Sequence, residues 1–181
     1  MWVVGPPVRV EGDVHVELAE DLFHDGYHHV SNLDASQQAI DLMKARTSKL
    51  GLKWKVGNAS NMSVFSSASF DIIFDKATLD SVLCGDESTK EAIGMLTECS
   101  RLLKTGGRFI CISFAKPVYR MCYLDRIELS WSIDVLTLPK PNLAEAVGGV
   151  LEAEVPNCYY VYVCTKRKAE VLPQFVEDTP S

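Results

Sequence analysis

FDIIFDKATLDSVL, Phe70 to Leu83, is the stretch on which the reading of this chain turns. Ile72-Ile73-Phe74 is an apolar run of strand length, the pattern of a strand covered on both faces rather than one with a wet side. The run stops on Asp75-Lys76, and Asp80 follows shortly after. Charge at the carboxyl end of a buried parallel strand faces a ligand crevice, because open α/β sheets bind their ligands there. The stretch therefore predicts both an architecture and a place to look for a site.

On its downstream side, STKEAIGMLTECSRLLK places Ile93, Leu96, Cys99 and Leu103 on one helical face, Gly106-Gly107 makes a turn, and RFICISFA is a second apolar strand. A right-handed crossover sets that strand beside the first. Upstream, Leu18, Ala19, Leu22 and Phe23 mark a helix over Glu17 to Asp25 that stops at Gly26, and HHVSNLD is a short strand ending in Asp34. Ser36 is the N-cap of SQQAIDLMKARTSKL, with Ile40, Met43 and Leu50 buried and Gly51 as the stop. LKWKVGNA is the next strand, ending near Asn58. Near the carboxyl terminus, WSIDVLTL and YYVYVCTK form a strand pair joined by a long loop, which adds antiparallel character.

Alternating β and α elements predict an α/β fold with a mostly parallel twisted sheet, an antiparallel C-terminal strand pair and helices on both faces. A chain of 181 residues is long enough for one real core and too short for two ordinary domains. We read residues 1–167 as that domain and the charged, proline-containing segment 168–181 as a loose tail. Residues 1–16 are atypical. VRVEGDVHV alternates around Gly12-Asp13 as a β-hairpin would, where a strand, a loop and a helix are expected.

A formal net charge of −6 opposes binding to a nucleic-acid backbone, which needs clustered Lys and Arg to displace counterions. No apolar stretch approaches the roughly 18 residues that span a bilayer, and no basic, cleavable leader opens the chain. These features predict a cytoplasmic protein with a small or basic partner, and they do not fix an oligomeric state. The six cysteines are scattered without a C-x-x-C pair, so reduced core thiols are expected. His24 and His28 stand at i, i+4, but no thiol or carboxylate completes a metal site around them.

Three strand ends carry polar residues: Asp34, Asn58 and Asp75. In neighbouring parallel strands they line one crevice. A carboxylate after the second strand, Asp34, is suited to accept hydrogen bonds from both hydroxyls of a ribose. Asn58 offers an amide oxygen to the exocyclic amine of an adenine, and the Ala59 N–H a donor to a ring nitrogen. Taken singly, each has a plainer explanation: Asp34 and Ser36 as a helix cap, Asn58 as a turn residue, Asp75-Lys76 as a surface ion pair.

Together, VSNLDAS, GNASNMSVFSSASFDIIFDKATLDSVL, LTECSRLLKTGGRFICISFA and YYVYVCTK resemble class I S-adenosylmethionine-dependent methyltransferases over roughly Ala19 to Lys166. More narrowly they resemble the branch of elongation factor 1-alpha lysine methyltransferases and the methyltransferase region associated with endothelin-converting enzyme 2. SFDIIFDKATLD is the strongest piece. The resemblance implies a Rossmann-like methyltransferase sandwich, S-adenosyl-L-methionine as cofactor and a protein lysine as acceptor. It implies Asp34 at the ribose, Asn58-Ala59 at the adenine, and Asp75-Lys76 beside the donor methionine and the target amine. Asp75 and Asp80 are then the carboxylates that orient an incoming lysine, and Gly5 is the first glycine of the loop after strand one.

That loop is where the chain departs from the family. It reads WVVGPPVRVEGDVHVELAEDL, and Pro6 and Pro7 have no N–H to offer a ligand. The stretch to Glu20-Asp21 is longer than the family's, the chain opens at the first strand itself, and Ala77 replaces a glycine. The alternative expectation is therefore a methyltransferase-like fold with impaired cofactor binding, serving as an interaction module or an incomplete gene product. A nicotinamide-dependent dehydrogenase would use Asp34 equally well, but G-x-G-x-x-G is absent.

Overall fold

The computed structural model describes residues 2–4, 14–140 and 158–168. Gly5, Pro6, Pro7 and the tail after Lys168 lie outside the described residues. In chain order the elements are β1 (Trp2–Val4), α1 (Val14–His24), β2 (Ser31–Asp34), α2 (Gln37–Arg46), β3 (Lys53–Val56), β4 (Phe70–Lys76) and α3 (Thr78–Val82). They continue as α4 (Ser88–Leu102), β5 (Leu103–Ser113), α5 (Pro117–Leu124), a 3-10 turn (Ile127–Leu129), β6 (Trp131–Pro139) and β7 (Cys158–Lys166).

The strands form one seven-stranded sheet in the order β3-β2-β1-β4-β5-β7-β6. The first five run parallel, and β7 inserts antiparallel between β5 and β6. The order reverses between β1 and β4: the chain winds from β1 out to β3, then returns to β4 on the other side. Carboxyl ends on either side of such a switch diverge and leave a crevice. This is the α/β sandwich expected from the alternating pattern.

The first arm and turn of the expected hairpin, residues 8–13, lie outside the described residues. Val14–Val16, its second arm, opens α1, and Trp2–Val4 pairs in parallel with two strands at once, Val3 facing Asn32 on β2 and Phe74 on β4. Gly106-Gly107 also sits differently, as an excursion inside β5, where register jumps from Phe70↔Leu103 to Ile72↔Arg108. Gly106 has φ +80, and a Cβ on Gly107 would stand 2.9 Å from the Lys104 carbonyl oxygen, so both positions require glycine.

The core lies between the sheet and α4. Ala92, Met95, Leu96 and Cys99 of α4 are buried against Ile73, Phe109 and Cys111 of the sheet. Ile93, expected on that face, is only half-buried, because the buried stripe is rotated toward Ala92 and Met95. Helix α4 also fixes the loop that follows β3. Glu98 Oε2 accepts from the Met62 N–H at 2.7 Å, and Arg101 donates to the carbonyls of Phe65 and Met62 while pairing with Glu98. Bonding to Arg101 holds the Glu98 carboxyl below the usual range.

Among the described residues three non-glycine residues, Ala68, Ala77 and Ser130, have positive φ, and Ala77 is the one beside the site. Ala77 joins β4 to α3 with φ +64 and ψ 6, a left-handed conformation that costs an L-residue roughly 1–2 kcal/mol. Glycine adopts it freely but loses more chain entropy on folding, which returns about half of the gain. Ala77→Gly should therefore raise unfolding stability by about 0.5–1 kcal/mol, measured by urea denaturation; a loss of stability would show that the turn carries no strain.

Candidate active site

At the tip of β2, Asp34 is 8% exposed. Its Oδ1 accepts from the Ser36 N–H at 2.7 Å, and Ser36 Oγ accepts from the Ala39 N–H to cap α2. One short segment thus orients the acid and starts the helix. Among the described residues Asp34 Oδ2 has no hydrogen-bond donor, and burial pushes the carboxyl's pKa up while the Ser36 N–H pulls it down. A half-satisfied, half-desolvated carboxylate at a strand tip is set up to take donors from a ligand.

At the tip of β3, the Gly57 N–H donates to the Asp34 carbonyl at 2.9 Å, which locks the two tips together. A Cβ on Gly57 would meet Leu33 Cδ1 at 2.8 Å. Asn58 Oδ1 accepts from both the Ser60 N–H and Ser60 Oγ, at 2.9 and 3.0 Å. Its oxygen is therefore committed to the turn, and the side chain presents its NH2 instead. The Ala59 N–H has no acceptor among the described residues. These two tips wall a pocket of about 290 Å³, closed on the other side by Thr78, Ser81 and Val82 of α3 and by Glu91 of α4.

Asp75, at the tip of β4, does not line that pocket. It is wholly buried, and its carboxyl turns back beneath α3 to accept from the Thr78 N–H at 2.8 Å, the Leu79 N–H at 3.2 Å and Cys111 Sγ at 3.2 Å. Desolvation pushes its pKa to about 6, against the bonds from Cys111, Thr78 and Leu79. Lys76 is half-buried, and burial pulls its amine pKa down. Asp80 is also fully engaged: it accepts from Ser113 Oγ, from the Phe114 N–H at 2.9 Å and from Arg120 Nη2 at 2.8 Å. That cluster ties α3 to the tip of β5 and to α5.

Of the residues expected at the site, Asp34, Asn58 and Ala59 share one pocket; Asp75, Lys76 and Asp80 stand behind or beside its α3 wall. Gly5 lies outside the described residues. Arg120, Ser81, Val82 and Glu91 escaped the sequence reading. The i, i+3, i+4 spacing of Thr78, Ser81 and Val82 is a helical signal, hidden in a stretch short enough to pass for a loop.

A family profile described as "Methyltransferase domain" matches residues 12–111. The chain belongs to the class I S-adenosylmethionine-dependent methyltransferases. It is 31% identical to the "EEF1A lysine methyltransferase 4" of Mus musculus over 135 residues, 70% of this chain and 52% of that one. It is 36% identical to the "eEF1A lysine and N-terminal methyltransferase" of Bos taurus over 113 residues, 60% of this chain and 16% of that one. The chain thus spans about half, or less, of the length of these relatives. A methyltransferase structure from Methanosarcina mazei shares the fold at TM-score 0.61 and 19% identity, with 92% of each chain covered.

The cofactor of this family is S-adenosylmethionine, and the residues present fit its nucleoside half. The pocket offers a desolvated acceptor in Asp34 Oδ2, a free donor in the Ala59 N–H, and apolar walls in Leu33 and Val82. Its volume of about 290 Å³ lies just below the range of roughly 300–1,000 Å³ seen for ligand sites, a size for part of a ligand. Among the described residues no group of His, Cys, Asp and Glu is placed to hold a metal.

The burial of Asp75 predicts a pH effect of definite sign. Its folded pKa, about 6, lies above the ordinary carboxylate range, so the proton is held more tightly by the native state. The associated stability is fully present below pH about 4 and is lost as the pH rises through about 6, by roughly 2–3 kcal/mol in all. Urea denaturation of wild type and Asp75→Asn from pH 4.5 to 7.5 should show the wild type losing ground to the variant as pH rises. A stability difference that ignores pH would contradict the assignment.

Proposed function

We propose that this chain transfers a methyl group from S-adenosylmethionine to the side-chain amine of a lysine in a protein. The observation that carries the acceptor is its 31% identity, over 70% of its length, to an enzyme named for lysine methylation of an elongation factor. In this reading Asp34 Oδ2 accepts from the ribose hydroxyls, the Ala59 N–H donates to a ring nitrogen of the base, and Asn58 holds the turn that presents Ala59. Leu33 and Val82 exclude water from the faces of the base. Gly5, next in sequence after β1, is assigned to the methionine end.

The donor's sulfonium supplies an already activated methyl carbon, so the protein's part is alignment. Asp75 and Asp80 contribute by holding the start of α3 and the β5 tip, which with Lys76 flank the entry of the substrate amine. A net charge of −6 favours a basic protein partner through long-range attraction. No described helix is long and apolar enough to cross a membrane; a cytoplasmic location goes with a protein of the translation machinery as substrate.

Isothermal titration with S-adenosylhomocysteine should give saturable binding that Asp34→Ala weakens by about tenfold or more. Because the Asp34 pKa is raised, affinity should begin to fall on acidification sooner than an ordinary carboxylate would require. Tritiated donor should then label lysine in purified elongation factor 1-alpha. If millimolar donor produces no heat, the enzyme reading is lost and an interaction module with the same fold remains.

A further inference from the structure

The pocket wall leaves one position of an adenine unanswered. The exocyclic amine needs an acceptor, and the residue at the β3 tip that would supply it has none to spare: both hydrogen bonds at Asn58 Oδ1 come from Ser60. An amide oxygen has two lone pairs, and here both are taken. Across the pocket stands Glu91, in the first turn of α4, exposed and without a side-chain hydrogen bond or ion pair among the described residues.

The packing of α4 explains why Glu91 faces this way. Gly94 brings the helix against the same turn, since a Cβ there would stand 3.1 Å from Ser60 Cβ. Glu91 lies three residues earlier on the helix, hence on the same face. The contact that carries Asn58 and Ser60 therefore also carries the Glu91 carboxylate to the pocket mouth. With Asp34 assigned to the ribose, Ser81 is the competing side-chain acceptor on the wall without a partner among the described residues, but a carboxylate is the stronger one for an amine donor.

We infer that Glu91 binds the exocyclic amine of the adenine and so gives the site its preference for an adenine nucleoside. This rests on the cofactor reading above, and the two can fail separately. The test compares S-adenosylhomocysteine with its analogue in which adenine is replaced by unsubstituted purine, both titrated calorimetrically. Wild type should prefer the adenine form by about tenfold, the worth of one hydrogen bond to a charged group. Glu91→Ala should abolish most of that preference while leaving affinity for the purine form unchanged, Glu91→Gln should retain part of it, and Ser81→Ala should leave it intact. The inference is overturned if Glu91→Ala keeps the preference, if it weakens both ligands equally, or if Ser81→Ala carries the effect. Wild type that binds neither ligand overturns the cofactor reading and this inference with it.

Discussion

The carboxyl group of Asp75 sits in the middle of the core and accepts the first amides of α3 together with the thiol of Cys111. Strand β4 puts Ile73 and Asp75 into the core while Ile72 and Phe74 stay partly exposed, and its buried end has to leave the sheet without stranding polar groups, because each unpaired one costs roughly 1–3 kcal/mol. The chain meets this by bending at Ala77 and letting the last acid of β4 cap the helix that follows. Helix α3 is only five residues long, too short to be stable by itself. It stands because Asp75 holds its start and Asp80 holds its middle, and its outer face is the far wall of the pocket.

The near wall follows a different logic. Asp34 shares its carboxyl between the backbone of Ser36 and the open pocket, and the Gly57 N–H ties the next strand tip to it. The loop beyond is pinned to α4 through Glu98 and Arg101. Both walls therefore refer back to the sheet and α4, the most buried parts of the molecule, and the pocket inherits their rigidity. Their separation is set by the reversal of strand order between β1 and β4.

How much of this was legible in the sequence depends on how local each cause is. Ser36 marks the start of α2 with a short-range signal, although the helix ends at Arg46 with Thr47 as its cap, short of the expected stop at Gly51, and β4 and β7 announce themselves by apolar runs. That Val14–Val16 opens α1 instead of a strand is what the local alternation of this stretch cannot reveal. Counting elements along the sequence places Asp34 and Asn58 at their strand tips. No counting could tell that Asp75 turns inward whereas Asp34 turns to the pocket, since both are acids ending an apolar strand. The difference lies in the left-handed turn at Ala77, a backbone angle that an alanine does not announce.

The state of the polar groups around the pocket also bears on the kind of chemistry it can host. Asp75, Asp80 and Arg120 are each tied into several hydrogen bonds, and the oxygen of Asn58 is taken by Ser60. Groups held that firmly make poor acids or bases in a reaction, because moving a proton onto or off them would break the bonds that keep the walls apart. What stays open on the wall is Asp34 Oδ2, the Ala59 N–H, Ser81 and Glu91, a set that can grip a nucleoside but has no obvious means of activating one. Such a site suits a donor that arrives already activated, where rate comes from holding two partners in line. With the proposed lysine acceptor, it would leave deprotonation of the amine to solvent or to the substrate side, since a carboxylate near α3 favours the charged ammonium over the neutral nucleophile.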